Sequence, residues 1–191
     1  YDGFAYTTAV GYGAGVSITT GLYNTILGAR AGIALTTGGE NVAVGFESLM
    51  TEDAHGRNTA LGYKTLRLQD AGAEAYNVAV GYAAGGTITT GIQNTLIGGL
   101  AGDALTTGSY NIALGYSALS SEDANGRNVA IGYFALYSQN AGVDAYNIAI
   151  GHSAGQAITT AIEDVVIGGL AGNSLTTGGR NTALGLSLIH I

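Results

Sequence analysis

One pentad recurs eleven times in this chain, and no other feature limits the fold so strongly. TTAVG (7–11), NTILG (24–28), NVAVG (41–45) and NTALG (58–62) follow one another at a constant period of 17. After one longer step, of 19, the cycle restarts with NVAVG (77–81), NTLIG (94–98), NIALG (111–115) and NVAIG (128–132). NIAIG (147–151), DVVIG (164–168) and NTALG (181–185) open a third round, so the superperiod is four units long: 7–76, 77–146 and a partial 147–191. A fixed period of this length marks a stacked repeat, in which each unit buries its apolar surface only against its neighbours. Residues 1–191 therefore read as a single repeat domain. With Tyr1 rather than methionine at its start, the sequence reads as a piece of something longer.

Within the pentad, position five is glycine in every copy: Gly11, Gly28, Gly45, Gly62, Gly81, Gly98, Gly115, Gly132, Gly151, Gly168 and Gly185. Position two is always β-branched and position four is always Val, Ile or Leu. Alternation with β-branched enrichment, closed by glycine, predicts a short strand that ends in a corner. Positions two and four then share one face, and the mostly Ala third position points to the other. Position one is Asn at Asn24, Asn41, Asn58, Asn77, Asn94, Asn111, Asn128, Asn147 and Asn181, with Thr7 and Asp164 as exceptions. An Asn stacked at the same corner of successive units is expected to hydrogen-bond the turn and the Asn above and below it.

A second short segment follows each pentad, then a turn of four types: ITTG, LTTG, EDAHGR (52–57) or EDANGR (122–127), and QDAGAEAY (69–76) or QNAGVDAY (139–146). The predicted fold is all-β: a parallel β-solenoid, or β-roll, of about eleven coils with the period of 17 to 19 set by the pentads. Proline would delete a ladder N–H from strands paired on both sides, and the chain has none. At ~4.8 Å per coil the rod is roughly 50 Å long. The Ala face admits only small side chains, so further copies of the chain are expected to cover it.

Composition narrows the partners. A net charge of −7 with six Lys and Arg opposes binding to nucleic acid. Only 10% of residues are charged while 47% are hydrophobic, which fits neither a disordered chain nor an ordinary enzyme surface. There is no cysteine, and no apolar run reaches the roughly 18 residues of a membrane-spanning helix.

A catalytic group is needed once, in one geometry, and should interrupt the repeat. No such break is found, and neither a cofactor nor a metal site is expected. His55, His152 and His190 hold unrelated unit positions. Glu52 with Asp53 and Glu122 with Asp123 are the nearest to a paired-carboxylate site. Neighbours on a strand point to opposite faces, however, and Arg57 and Arg127 lie close enough to neutralise them. These six residues are read as solvated loop positions that can touch a surface, with glycan cleavage as the lesser alternative. Recurrent tyrosines read as packing at the coil corners, and the paired threonines lack the uninterrupted array that ice binding needs.

NTALGYKTL (58–66), NIALGYSAL (111–119) and NVAIGYFAL (128–136) resemble the NTAIGYxAL repeats of phage tail-fibre proteins, and more distantly the SVAIG repeats of trimeric autotransporter adhesin heads. That resemblance implies a left-handed β-roll, three chains per fibre, an extracellular location and a role in attachment to a host or cell surface. The units here are longer than the adhesin unit. A structural filament without a receptor is the competing expectation.

Overall fold

The computed structural model describes residues 6–187, which leaves His190 outside the described residues. Eleven three-residue strands, from β1 (Thr8–Val10) to β11 (Thr182–Leu184), form one sheet in sequence order. Every pairing is parallel and offset by one unit, as in Thr8↔Thr25 and Val129↔Ile148. The chain is an all-β parallel solenoid, as its period predicts, and no helix occurs among the described residues.

The two faces of the sheet are used differently from the expectation. Ala43, Ala60, Ala79, Ala113, Ala130 and Ala149 at position three are fully buried within the chain itself. The β-branched and aliphatic side chains at positions two and four point outward, with Val42, Leu61, Ile97 and Ile112 exposed. The Ala face thus needs no second copy. Each coil folds back under its own strand and supplies the cover from residues that follow the corner.

Three interior columns explain why the superperiod has four units. The first runs through position three, the second lies six residues later, and the third lies three residues beyond that. Where the first column carries the large Ile26, Leu96 or Val166, the second carries Gly32, Gly102 or Gly172. A Cβ on Gly102 would stand 2.9 Å from Leu96 Cδ2. Where the first column carries Ala43, Ala60, Ala113 or Ala130, the second carries Leu49, Leu66, Leu119 or Leu136, all fully buried. Large faces small across a narrow lumen, which keeps the core at close packing. Where Ala79 and Gly85 coincide, Leu66, Ile88 and Leu96 from the same and neighbouring coils close the gap; a Cβ on Gly85 would meet their methyls within 3.1 Å. Each buried Leu or Ile contributes about 1.5–3 kcal/mol relative to exposure.

The corner takes an unusual backbone. The pentad glycines hold φ between 128° and 139°, and after each of them alternate residues return to positive φ, as at Gly28 (135°), Arg30 (58°) and Gly32 (51°). The alternation aims successive N–H groups at opposite neighbours: Arg30 donates to Tyr12 O at 2.8 Å in the coil before, and Gly32 to Ser48 O at 3.0 Å in the coil after. A segment with no regular strand is therefore still paired on both sides.

At the other corner the Asn side chains run the length of the rod. The Oδ1 of Asn24, Asn41, Asn58, Asn77, Asn94, Asn111 and Asn128 each accepts the backbone N–H of the next Asn at 2.8–3.1 Å. The two exceptions preserve the chain of bonds. Thr7 Oγ1 accepts from Asn24 N; Asp164 donates its N–H to Asn147 Oδ1 and accepts from Asn181 N at 2.7 Å.

Candidate functional site

The outward face of the sheet is left partly uncovered by its own chain, exposed in some coils and half-buried in others. Positions two and four give two parallel columns of Thr, Val, Ile and Leu, one residue of each per coil. At position four the side chains are Val10, Leu27, Val44, Leu61, Val80, Ile97, Leu114, Ile131, Ile150, Ile167 and Leu184, with no polar residue among them.

Two further columns flank these. The residue after the pentad glycine is aromatic in blocks: Phe46, Tyr63 and Tyr82 stack at ring separations of 5.5 and 5.2 Å, and Tyr116, Tyr133 and His152 at 5.6 and 5.3 Å. Coil spacing in a parallel sheet brings like rings into offset stacking without further adjustment. His152 therefore stands in an aromatic column. Ala29, Gly99 and Gly169 interrupt the column once per superperiod.

The other flank is the residue before each Asn, also at positive φ, as at Tyr76 (52°) and Arg127 (65°). Here charges alternate with rings. Arg57 bonds Glu40 at 2.9 Å and lies over the Tyr76 ring at 5.4 Å, and its guanidinium also donates to the Tyr76 hydroxyl. Arg127 bonds Asp144 at 2.7 Å between Tyr110 and Tyr146, whose centroids are 4.8 and 5.6 Å away. Arg180 meets Glu163 at 2.7 Å. These exposed pairs are satisfied within the chain. Replacing Arg127 with alanine is expected to move the urea midpoint only slightly, and less at high salt.

The two EDAxGR loops separate the residues the sequence grouped together. Asp53, Arg57, Asp123 and Arg127 are exposed, but Glu52 and Glu122 are fully buried. The fold corrects the reading of those two as surface contacts. The strand-like alternation that turns Asp53 out turns Glu52 in, towards the lumen. Glu52 Oε1 accepts the N–H of His55 at 3.1 Å and Glu122 Oε1 that of Asn125 at 3.2 Å, which closes each loop. With one carboxyl inside and its neighbour outside, neither pair presents two acidic groups to a common sugar ring. His55 Nδ1 lies 4.0 Å from Glu52 Oε1, and the donor atoms of Glu52, Asp53 and His55 fall within 4.8 Å of one another. The second loop closes the same way with Asn125 in place of His55.

The paired threonines bond along the rod. Thr19, Thr36, Thr89, Thr106 and Thr159 each donate Oγ1–H to a carbonyl of the next coil at 3.0–3.2 Å. They tie successive loops together.

Sequence reasoning missed the interior role of Glu52 and Glu122. The signal was present in the third interior column, which reads Ile18, Leu35, Glu52, Gln69, Ile88, Leu105, Glu122, Gln139, Ile158 and Leu175. Two polar residues interrupt an otherwise aliphatic series at the same place in each cycle. Compared with known protein families, with characterised proteins and with solved structures, the chain matches none.

Proposed function

We propose that this chain is a stiff segment of a homotrimeric extracellular fibre, of the tail-fibre or adhesin kind, which carries attachment to a host or cell surface and performs no catalysis. The observation that carries the reading is the partly uncovered apolar sheet face on a rod whose interior is already complete. The two central columns span roughly 500 Å² over eleven coils, the upper part of what a monomer exposes as one apolar patch. With the rings and paired charges of the flanks the face reaches on the order of 800–1,000 Å², and a stable interface takes about 800 Å² from each partner. The fitting occupant is another copy of the chain, because its face has the same length, the same spacing and no net charge in its central columns. Three copies rather than two is what the resemblance to tail-fibre and adhesin repeats implies.

Attachment rests on the same resemblance and on the exposed loop tips at 53–54 and 123–124, which recur every fourth coil. A filament without a receptor is the second reading, favoured by the internal pairing of Arg57 and Arg127. Binding of the isolated segment to host cells or a glycan array separates the two.

The expected mass in solution is three times the chain mass of 19.1 kDa. Joint replacement of Ile97 and Ile112 by glutamate places carboxylates on the face at mid-rod and should yield the single-chain mass with the β-sheet circular dichroism retained. A single-chain mass for the natural sequence would overturn the assembly.

A further inference from the structure

The interruption of the third interior column is the most unusual chemistry in the rod, and it occurs twice. Glu52 and Gln69 are fully buried, one period apart and so in adjacent coils; Glu122 and Gln139 repeat the arrangement. Thr51 fixes the stacking by donating to Gln69 O at 3.1 Å. Aliphatic residues lie on both sides of each pair: Leu35 below and Ile88 above in one, Leu105 and Ile158 in the other.

Half of each pair is well bonded. Gln69 Oε1 accepts from Asn77 Nδ2 at 2.7 Å and Gln139 Oε1 from Asn147 Nδ2 at 2.9 Å, which anchors both amides to the Asn corner. The remaining atoms are orphans. Glu52 Oε2, Gln69 Nε2, Glu122 Oε2 and Gln139 Nε2 are buried with no hydrogen-bond partner. No donor is within bonding distance of either orphaned carboxyl oxygen to hold a negative charge there. A carboxyl enclosed in this way cannot carry charge without penalty unless its partners are all in place.

We infer that Glu52 with Gln69, and Glu122 with Gln139, are two copies of one proton-binding clasp: the carboxyl is held neutral while adjacent coils are closed, and loss of its proton loosens the EDAxGR loop that it anchors. The surroundings favour the neutral form. Burial is the main cause and pushes Glu52 up to about 7, against the opposing N–H of His55, with Asp70 in the next coil repelling the ionised form. The charged groups facing Glu52 are Asp53 and His55 from its own loop and Asp70 from the coil above; Leu35 and Thr36 below carry none. Glu122 is raised by burial too, against hydrogen bonds from Asn125. It faces only Asp123, since Asn125 and Asn140 replace His55 and Asp70. A carboxyl raised in the fold stabilises it below the ordinary value of about 4.3, and that stability is lost as pH rises towards the folded value. The clasp therefore tightens in acid and opens above neutrality.

The test uses the whole chain, followed by carbon NMR of the carboxyl groups and by hydrogen exchange corrected for intrinsic rates. Two glutamates should titrate well above ~4.3; protection at 52–57 should fall on the order of 100-fold between pH 5 and pH 8, and protection at 122–127 should fall in the same direction. The pair E52Q and E122Q keeps shape without the proton, and E52L with E122L restores the aliphatic column; both should hold protection level over that range. Glutamates that all titrate near the ordinary value, or variants that keep the same pH trend, would overturn the clasp. Should the glutamine variant not fold, the leucine variant and the titration of the natural chain still decide.

Discussion

Replacing Gly115 with valine should lower the melting temperature by roughly 10 °C, an effect of about 4 kcal/mol on a chain of this size. Gly115 holds φ at 138°, and a Cβ there would drive into the carbonyl oxygen of Gly132 and stand 3.1 Å from Tyr133 N. Strain at such a φ costs about 1–3 kcal/mol, and forcing atoms into a filled space adds a similar ~1–3 kcal/mol. Other glycines separate the two effects. Gly142 has φ of 72° with no atom near its missing Cβ, so alanine there should cost only about 1 kcal/mol. Gly178 stands in open space, and its replacement by alanine should be almost neutral. A series in which Gly115→Val melts like Gly142→Ala would show that coil-to-coil contact is not what fixes the pentad glycine.

Truncating Asn94 to alanine is expected to be nearly as damaging, at roughly 3–4 kcal/mol in urea unfolding. Its Oδ1 accepts from Asn111 N at 2.9 Å and from Asn111 Nδ2 at 3.2 Å, while its Nδ2 donates to Gly108 O at 2.9 Å and to Asn77 Oδ1 at 3.2 Å. All are buried, and truncation leaves several of them unsatisfied at about 1–3 kcal/mol each, partly relieved by water or local movement. Asn94→Thr should lose less, since Thr7 already serves as acceptor for Asn24 N in the first coil. Equal losses for Ala and Thr would remove the acceptor role from the explanation.

The parallel stack was legible because the alternation inside each pentad and the even spacing between pentads can be satisfied together only by coils lying in register. The orientation of the sheet was not. Alternation separates the Ala side from the Val, Ile and Leu side but does not say which one faces inward, and bulky residues ordinarily seek the core. Here the lumen is so narrow that the inward places beside the strand take mostly Ala. Bulk enters only where a facing Gly makes room, as with Leu96 and Gly102. The loops were misread for a related reason. Glu and Asp side by side read as a solvated pair, yet the column shared with Leu35 and Ile88 assigns Glu52 to the interior and leaves Asp53 in water. What exposed the difference was not local composition but the position each residue occupies in the four-unit cycle.

That cycle also sets a rule for how such a rod can change length. Because large–small matching and the Glu–Gln neighbours each depend on which coil type follows which, removing a single unit would set mismatched interiors against each other. Removing a whole cycle, such as 77–146, would join identical coil types and leave every surviving interior contact with its original kind of neighbour. Recombination between cycles that match coil for coil is then the tolerated event, and reach is quantised in steps of four coils, about 19 Å, rather than adjustable one coil at a time.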